Sequence, residues 1–182
     1  MSTKKVTWLA RAVICCVLAT TACKKSDKGA SPQPAPEPVT KVGGTVATNL
    51  NESLILQLVN DVRTKGCDCG AAKMPPVPPL RWSDSLAAVA LAHSVDMDRD
   101  NYFDHIDKTG NDPGQRATQA GYAWRAVGEN IARGQRTEAE VVNAWLKSPG
   151  HCTNLMEAGF KEMGVARTKD QNTWTQLFGT RK

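Results

Sequence analysis

Aromatic side chains are scarce in this chain, at 5% of residues, and histidine occurs only three times in 182 positions. Any imidazole chemistry must therefore be assembled from His93, His105 and His151. No run of Lys and Arg is long enough to follow a phosphate backbone, which argues against nucleic acid as a partner. A Gly-x-Ser-x-Gly motif is missing, so the serine nucleophile of a strand-to-helix elbow is excluded. No internal repeat is present, which removes solenoid and propeller architectures. Acidic residues are absent from the first 22 positions, where Lys4, Lys5 and Arg11 stand. Those three cations supply most of the formal net charge of +5, so the apparent basicity is largely a targeting feature.

Residues 1–22 read as an export signal: a basic start, then a short apolar stretch from Ala12 to Thr21, too short to span a bilayer. The segment Leu18-Ala-Thr-Thr-Ala-Cys23 resembles a bacterial lipobox, which implies lipidation of Cys23. It departs from the usual pattern in having Thr20, not Leu, three places before the cysteine. Ordinary signal-peptidase cleavage nearby is the alternative. Both readings export the protein, either anchored by lipid to a bacterial membrane (the outer one where the host has it) or secreted. Residues 23–48 are poor in apolar side chains. Ser31-Pro-Gln-Pro-Ala-Pro-Glu-Pro38 has proline at every second position. Such composition cannot bury enough surface to fold and favours an extended tether. Residues 49–182 remain as one domain, expected to be monomeric.

Of six cysteines, Cys15 and Cys16 belong to the signal and Cys23 to the lipid site. Cys67, Cys69 and Cys152 remain, and thiols outside the cytoplasm tend to pair. One disulfide and one free thiol follow, with Cys152 bonded to Cys67 or to Cys69. A bond within Cys67-Asp-Cys69 would close a small, strained ring. A zinc site from these cysteines plus His151 lacks the spacing of common structural zinc sites.

Hydrophobic periodicity predicts a helix over Asn51–Thr64, with Leu54, Ile55, Leu58, Val59 and Val62 on one face. Residues 66–79, with four prolines, read as an irregular loop. Leu80-Arg-Trp82 is extended. Ser83 or Asp84 caps a second helix, packed through Leu86, Val89, Ala90, His93 and Met97. A short helix spans 115–120, and 124–133 is loop or strand. Thr137 and Glu140 form a capping box for a helix that Ser148-Pro-Gly150 stops. Residues 162–168 and 173–180 form two strands joined by a polar turn. Helices mostly precede strands, which indicates α+β. Trp82, Trp145, Trp174 and Phe178 are assigned to the core. Gly128 serves a turn or a close backbone approach. His93 is assigned to a satisfied core position; Arg116 and Arg133 are assigned to the solvated surface, with a place bordering the cleft as the alternative.

The order of motifs is more specific than any one of them. Leu80-Arg-Trp82 is followed by Ala92-His-Ser-Val-Asp-Met97, Asn101-Tyr-Phe-Asp-His105, Ala120-Gly-Tyr122 and Gly128-Glu-Asn-Ile-Ala132. Then come Ala144-Trp-Leu-Lys-Ser-Pro-Gly-His151, Met163-Gly-Val165 and Trp174-Thr-Gln-Leu-Phe-Gly179. In this order they resemble the CAP superfamily, also called SCP-like, in its short bacterial secreted branch. The resemblance covers about Asn51 to Gly179. It implies an α/β/α sandwich, with helices around a small, mostly antiparallel sheet, and a cleft of two histidines and two acids. His105, Glu129 and His151 match three of those cleft positions. The fourth acid falls on Ser148, which has no carboxylate, and Glu138 and Glu140 are the nearby acids available instead.

Two neutral imidazoles, His105 and His151, suit Zn²⁺ or another divalent ion, with Glu129 the candidate acid/base on a bound water. Two protein ligands make a weak site, since catalytic zinc usually has three. Cys152 beside His151 is a poor thiol-protease pair, because adjacent residues rarely face each other and a disulfide silences the sulfur. The preferred reading is a non-enzymatic envelope or extracellular binding module for a lipid, glycan or peptide. A metal-dependent envelope hydrolase and a structural envelope protein are the alternatives.

Overall fold

A computed structural model describes residues 46–182. The signal segment, Cys23 and the tether up to residue 45 lie outside the described residues. Five helices and six strands follow in order: α1 (Glu52–Lys65), β1 (Cys67–Cys69), β2 (Ala72–Met74), β3 (Arg81–Trp82), α2 (Asp84–Arg99) and α3 (Pro113–Gln119). The chain continues through β4 (Trp124–Arg133), α4 (Glu138–Lys147), α5 (Pro149–Met156), β5 (Glu162–Arg167) and β6 (Thr173–Arg181).

The main sheet has strand order β3-β5-β6-β4. β3 runs parallel to β5, and the other pairs are antiparallel. Directly opposed residues on antiparallel strands share a face, and successive residues alternate faces. Trp174 and Phe178 of β6 and Met163 and Val165 of β5 join Ile55, Val59, Val142, Trp145 and Leu155 from α1, α4 and α5. Leu177 and Ala166 point the other way and meet Leu86, Val89 and Ala90 of α2 and Ala117 of α3. The sheet is thus covered on both faces, an α/β/α sandwich with a mostly antiparallel sheet, as expected from the sequence. β6 is buried along nearly its whole length because it lies between β4 and β5 with helices on both sides.

Glycine sets the closeness of these layers. A Cβ on Gly164 would lie 2.1 Å from the backbone nitrogen of Ala87, so α2 reaches the sheet only because that position is bare. Gly128 is a close approach, not a turn: a Cβ there would lie 2.6 Å from the Phe160 ring.

Several local expectations require correction. The segment 66–79 is not wholly irregular, since β1 and β2 form a hairpin over the turn Gly70-Ala71. Gly70 has φ +64, and its Cβ position would touch Pro149, so the hairpin tip packs against the start of α5. Ser148-Pro-Gly150 ends α4 but also begins α5, because proline is well tolerated in a first helical turn. Thr137 caps α4 through the Glu140 amide, yet the Glu140 carboxylate turns to the Arg136 amide at 2.7 Å, so the box is half formed. The complete capping box is at α3, between Asp112 and Gln115. Leu54, assigned to the apolar face of α1, is exposed. Trp82 is half-buried, with its indole N–H donating to Asp84.

Candidate functional site

β4 is an edge of the main sheet, and the candidate site is built across it. Glu129 opposes Leu177 and therefore faces the α2/α3 layer; Asn130 opposes Gln176 and faces α5. The Glu129 side chain is 1% exposed. A carboxylate so desolvated must be paired and hydrogen-bonded. Its Oε2 accepts from Arg116 Nη2 of α3 at 2.6 Å, and its Oε1 accepts from His105 Nδ1 at 2.8 Å. His93 of α2 brings Nε2 to 3.8 Å from the same Oε1.

His105 sits in the loop between α2 and α3, which is pinned from several directions. Arg116 Nη1 donates to the carbonyls of His105 at 2.8 Å and Asn111 at 2.9 Å. Asp107 accepts from the amides of Thr109 and Asn111. Tyr102 at the loop's start donates its hydroxyl to Asp96. The His105 side chain is 46% exposed, and exposed Phe103 and Ile106 flank it.

The hydrogen bonds fix the tautomers. A carboxylate accepts, so His105 carries a proton on Nδ1, and its neutral form has a bare Nε2. The bond to Glu129 raises the His105 pKa from its ordinary value, and this outweighs the opposing effect of burial. His93 donates Nε2–H to the Asp104 carbonyl at 3.0 Å, which leaves its buried Nδ1 without a partner. Burial lowers the His93 pKa; nearby Glu129 works the other way but does not prevail. His151 in α5 is also lowered, first by burial and then by the charge of His105.

On the α5 side, Asn154 Nδ2 donates to the Glu129 carbonyl at 3.1 Å and to Asn130 Oδ1 at 3.0 Å. Asn130 Nδ2 donates to the His151 carbonyl at 3.2 Å and to Gln176 Oε1 at 3.2 Å. These amides satisfy the Glu129 carbonyl and seat α5 against β4. The structure thus joins His105 to Glu129 directly and sets the His151 backbone beside Asn130. Among the described residues, no hydrogen bond or ion pair links the His151 ring to Glu129. The three side chains do not form a preassembled group of ligand atoms within 4.8 Å. Glu138 and Glu140 do not replace the acid missing at Ser148: Glu138 accepts from the Asn51 amide and Glu140 from the Arg136 amide.

Sequence reasoning misses two members of this cluster. Arg116, assigned to the surface in preference to the cleft border, is 9% exposed and is the counter-ion of Glu129. His93 is in the core as expected, but it abuts Glu129 and is only half satisfied. A histidine on the packed face of α2 is itself the available signal, because a buried polar ring needs polar neighbours. Arg116 carries no comparable signal. Arg133 is half-buried and donates to Thr173 Oγ1 and the Tyr102 carbonyl.

The cysteines resolve as Cys69–Cys152, with Cα atoms 5.4 Å apart, and Cys67 is free. Together they are the one cluster among the described residues with three metal-ligand atoms close together. Two of those sulfurs are bonded to each other, so the cluster as it stands offers one thiol.

Comparison with known proteins agrees with this architecture. The model of the cysteine-rich secretory protein family, CAP, matches residues 56–178. The uncharacterized protein YkwD of Bacillus subtilis is 33% identical over 148 residues, 81% of this chain; the chain spans about half of that relative's length, 54%. An extracellular SCP-domain protein from Bacillus anthracis superposes with TM-score 0.62 at 32% identity, covering 71% of this chain and 40% of that one. An outer surface protein of Borrelia burgdorferi gives TM-score 0.61 at 25% identity, covering 71% and 92%. No helix among the described residues is long and apolar enough to cross a membrane. With the family model covering most of the folded residues and bacterial SCP-domain structures sharing its layers, the chain belongs to the CAP family.

Proposed function

We propose that this protein is an exported, lipid-anchored binding module of the bacterial cell envelope whose cleft presents His105 and His151 to a divalent cation such as Zn²⁺. The observation that carries the reading is the hydrogen bond from His105 Nδ1 to the buried Glu129. A carboxylate behind a histidine fixes the ring's tautomer and orientation and makes the other nitrogen a better ligand. The lowered pKa of His151 keeps that ring neutral, the form that binds metal. A bound ion would supply Lewis acidity and positions open to water, and Phe103 and Ile106, close to His105 in the chain, are exposed. The apolar pair suits a lipid, glycan or peptide ligand with an apolar part.

The occupancy of Glu129 favours binding over hydrolysis. Its two oxygens are engaged by His105 and Arg116. A general base must present an oxygen to the attacking water, and neither oxygen of Glu129 is left without a partner. Glu129 is therefore read as a positioning residue, and catalysis through it as the lesser alternative.

Calorimetric titration of the protein with Zn²⁺ tests this. His105→Ala combined with His151→Ala is expected to abolish binding while leaving the thermal unfolding transition cooperative. Glu129→Gln is expected to weaken binding roughly 10–100-fold, the usual cost of losing such a supporting partner. Undiminished binding in the double variant contradicts the metal reading.

A further inference from the structure

By sequence, Cys67 and Cys69 are rival partners for Cys152, and the fold explains the rivalry. Both lie in β1, two residues apart. A strand's side chains alternate, so residues i and i+2 share a face. Cys67 and Cys69 therefore both present sulfur to α5, and Asp68 between them is exposed. Cys69 holds the bond to Cys152. The free Cys67 Sγ lies 3.6 Å from Cys152 Sγ and 3.9 Å from Cys69 Sγ.

We propose that the disulfide is exchangeable, with Cys67 as the attacking thiol and Cys152 as the shared sulfur. The Cys67 thiolate forms a bond to Cys152 Sγ, the Cys69–Cys152 bond breaks, and Cys69 leaves as a thiolate that takes up the proton Cys67 released. One disulfide and one thiol exist before and after, so no oxidant or reductant is consumed. Attack on a disulfide sulfur proceeds through the thiolate. Cys67 is nearly equidistant from the two bonded sulfurs and so lies beside the bond. Rotation about its Cα–Cβ bond is needed to bring it onto the bond axis.

Three observations make the two pairings close competitors. Their sequence separations are 83 and 85, so the entropy of loop closure hardly distinguishes them. Both donors come from one rigid hairpin face, so neither pairing requires the hairpin to turn over. The third pairing, Cys67 with Cys69, is poor: two strand residues hold their Cα atoms about 6.6 Å apart, near the upper limit for a disulfide.

What changes is the exposure of the odd thiol. Cys67 is half-buried and borders a surface groove with Lys65, Asp68, Lys73 and Met74. Cys69 is buried with Met156 and Val62. One isomer therefore leaves the odd thiol partly exposed, and the other hides it; burial and then Asp68 raise the Cys67 pKa, so alkaline pH favours the exchange. The chemical class of partner is a small disulfide: the Cys67 thiolate bonds to one of its sulfurs, its sulfur–sulfur bond breaks, and one small thiolate leaves. The bond also anchors the helix that carries His151, adjacent to Cys152.

The test uses the protein as exported by its host, purified without reductant and held in mildly alkaline buffer. It is then acid-quenched and peptide-mapped, so that modification at Cys23 is read separately. Wild type is expected to yield both Cys69–Cys152 and Cys67–Cys152 linked peptides, and native-state alkylation before incubation is expected at Cys67. Cys69→Ser is expected to form Cys67–Cys152 and lose its free domain thiol, from one to none. Cys67→Ser should give only the Cys69 bond. Recovery of Cys69–Cys152 alone from wild type overturns the proposal. So does a folded Cys69→Ser variant that keeps Cys67 and Cys152 as thiols. The wild-type map decides the matter should Cys69→Ser fail to fold.

Discussion

Helix α5 divides two regions that solve the same problem by different means. Toward β4, it meets a cluster of buried charge and amide groups: Asn154 and the His151 carbonyl bind the strand that carries Glu129, and Glu129 in turn holds Arg116 and His105. Toward β1, the same helix is fixed by the covalent bond from Cys152 to Cys69 and a small apolar cluster. The charged side depends on every partner being present, because an unpaired buried charge is costly. The cysteine side depends on one bond, and a spare thiol stands beside it. The first region is thus held by mutual pairing, with His93 Nδ1 and Arg116 Nε left without partners, and the second is fixed but chemically replaceable.

That contrast can be broken from either side. The largest effect is expected from Glu129→Ala, which leaves Arg116 buried without its counter-ion. Loss of one member of a buried pair typically costs about 3–5 kcal/mol, and urea unfolding would read it. Cys152→Ser removes the cross-link, at a cost in the range of about 2–5 kcal/mol that includes whatever the freed thiols cannot recover. Cys69→Ser should cost less than Cys152→Ser, because Cys67 can take the vacated place and no residue can replace Cys152. Equal losses in the two variants would erase the distinction between a replaceable and an irreplaceable cysteine.

The smallest effect concerns pH. His93 is held neutral by burial, with its folded pKa below the ordinary 6.5. The unfolded chain therefore takes up that proton first as pH falls. The stability His93 contributes is present above about pH 6.5 and declines below it, until the folded state also protonates. His105, with a raised pKa, contributes in the opposite sense: its share is present at low pH and lost as pH rises through its folded value. His93→Gln keeps a donor for the Asp104 carbonyl and removes the titration. It should flatten the acid limb of melting temperature against pH relative to wild type. An unchanged limb would mean that His93 is not the group responsible.

The fold is largely legible in the sequence. Helical periodicity places α1, α2 and α4, and the polar turn at 169–172 joins β5 to β6. The ordered motifs carry the sandwich itself. The hairpin of β1 and β2 is hidden by its short length and by four neighbouring prolines, and its role emerges only when α5 packs against it. The proline that starts α5 reads as a stop because Pro serves both purposes. In the site, His105 and Glu129 are legible through Asn101–His105 and the Gly-Glu-Asn motif. Arg116 is not, because an arginine on a short helix gives no sign of its partner until β4 lies alongside. The two halves of the Glu129 cluster are 13 and 24 residues from it, so only the tertiary fold brings them together.

The central claim is that Glu129 holds His105 with Nδ1 protonated and leaves Nε2 free as the proposed ligand atom. Nitrogen-15 NMR of the imidazoles, recorded above the His105 pKa without added metal, reads this directly. The account predicts a single Nδ1–H tautomer for His105 with an unprotonated Nε2, which Glu129→Ala converts to the mixture of a free ring. A predominant Nε2–H tautomer, or a spectrum indifferent to Glu129, would contradict it.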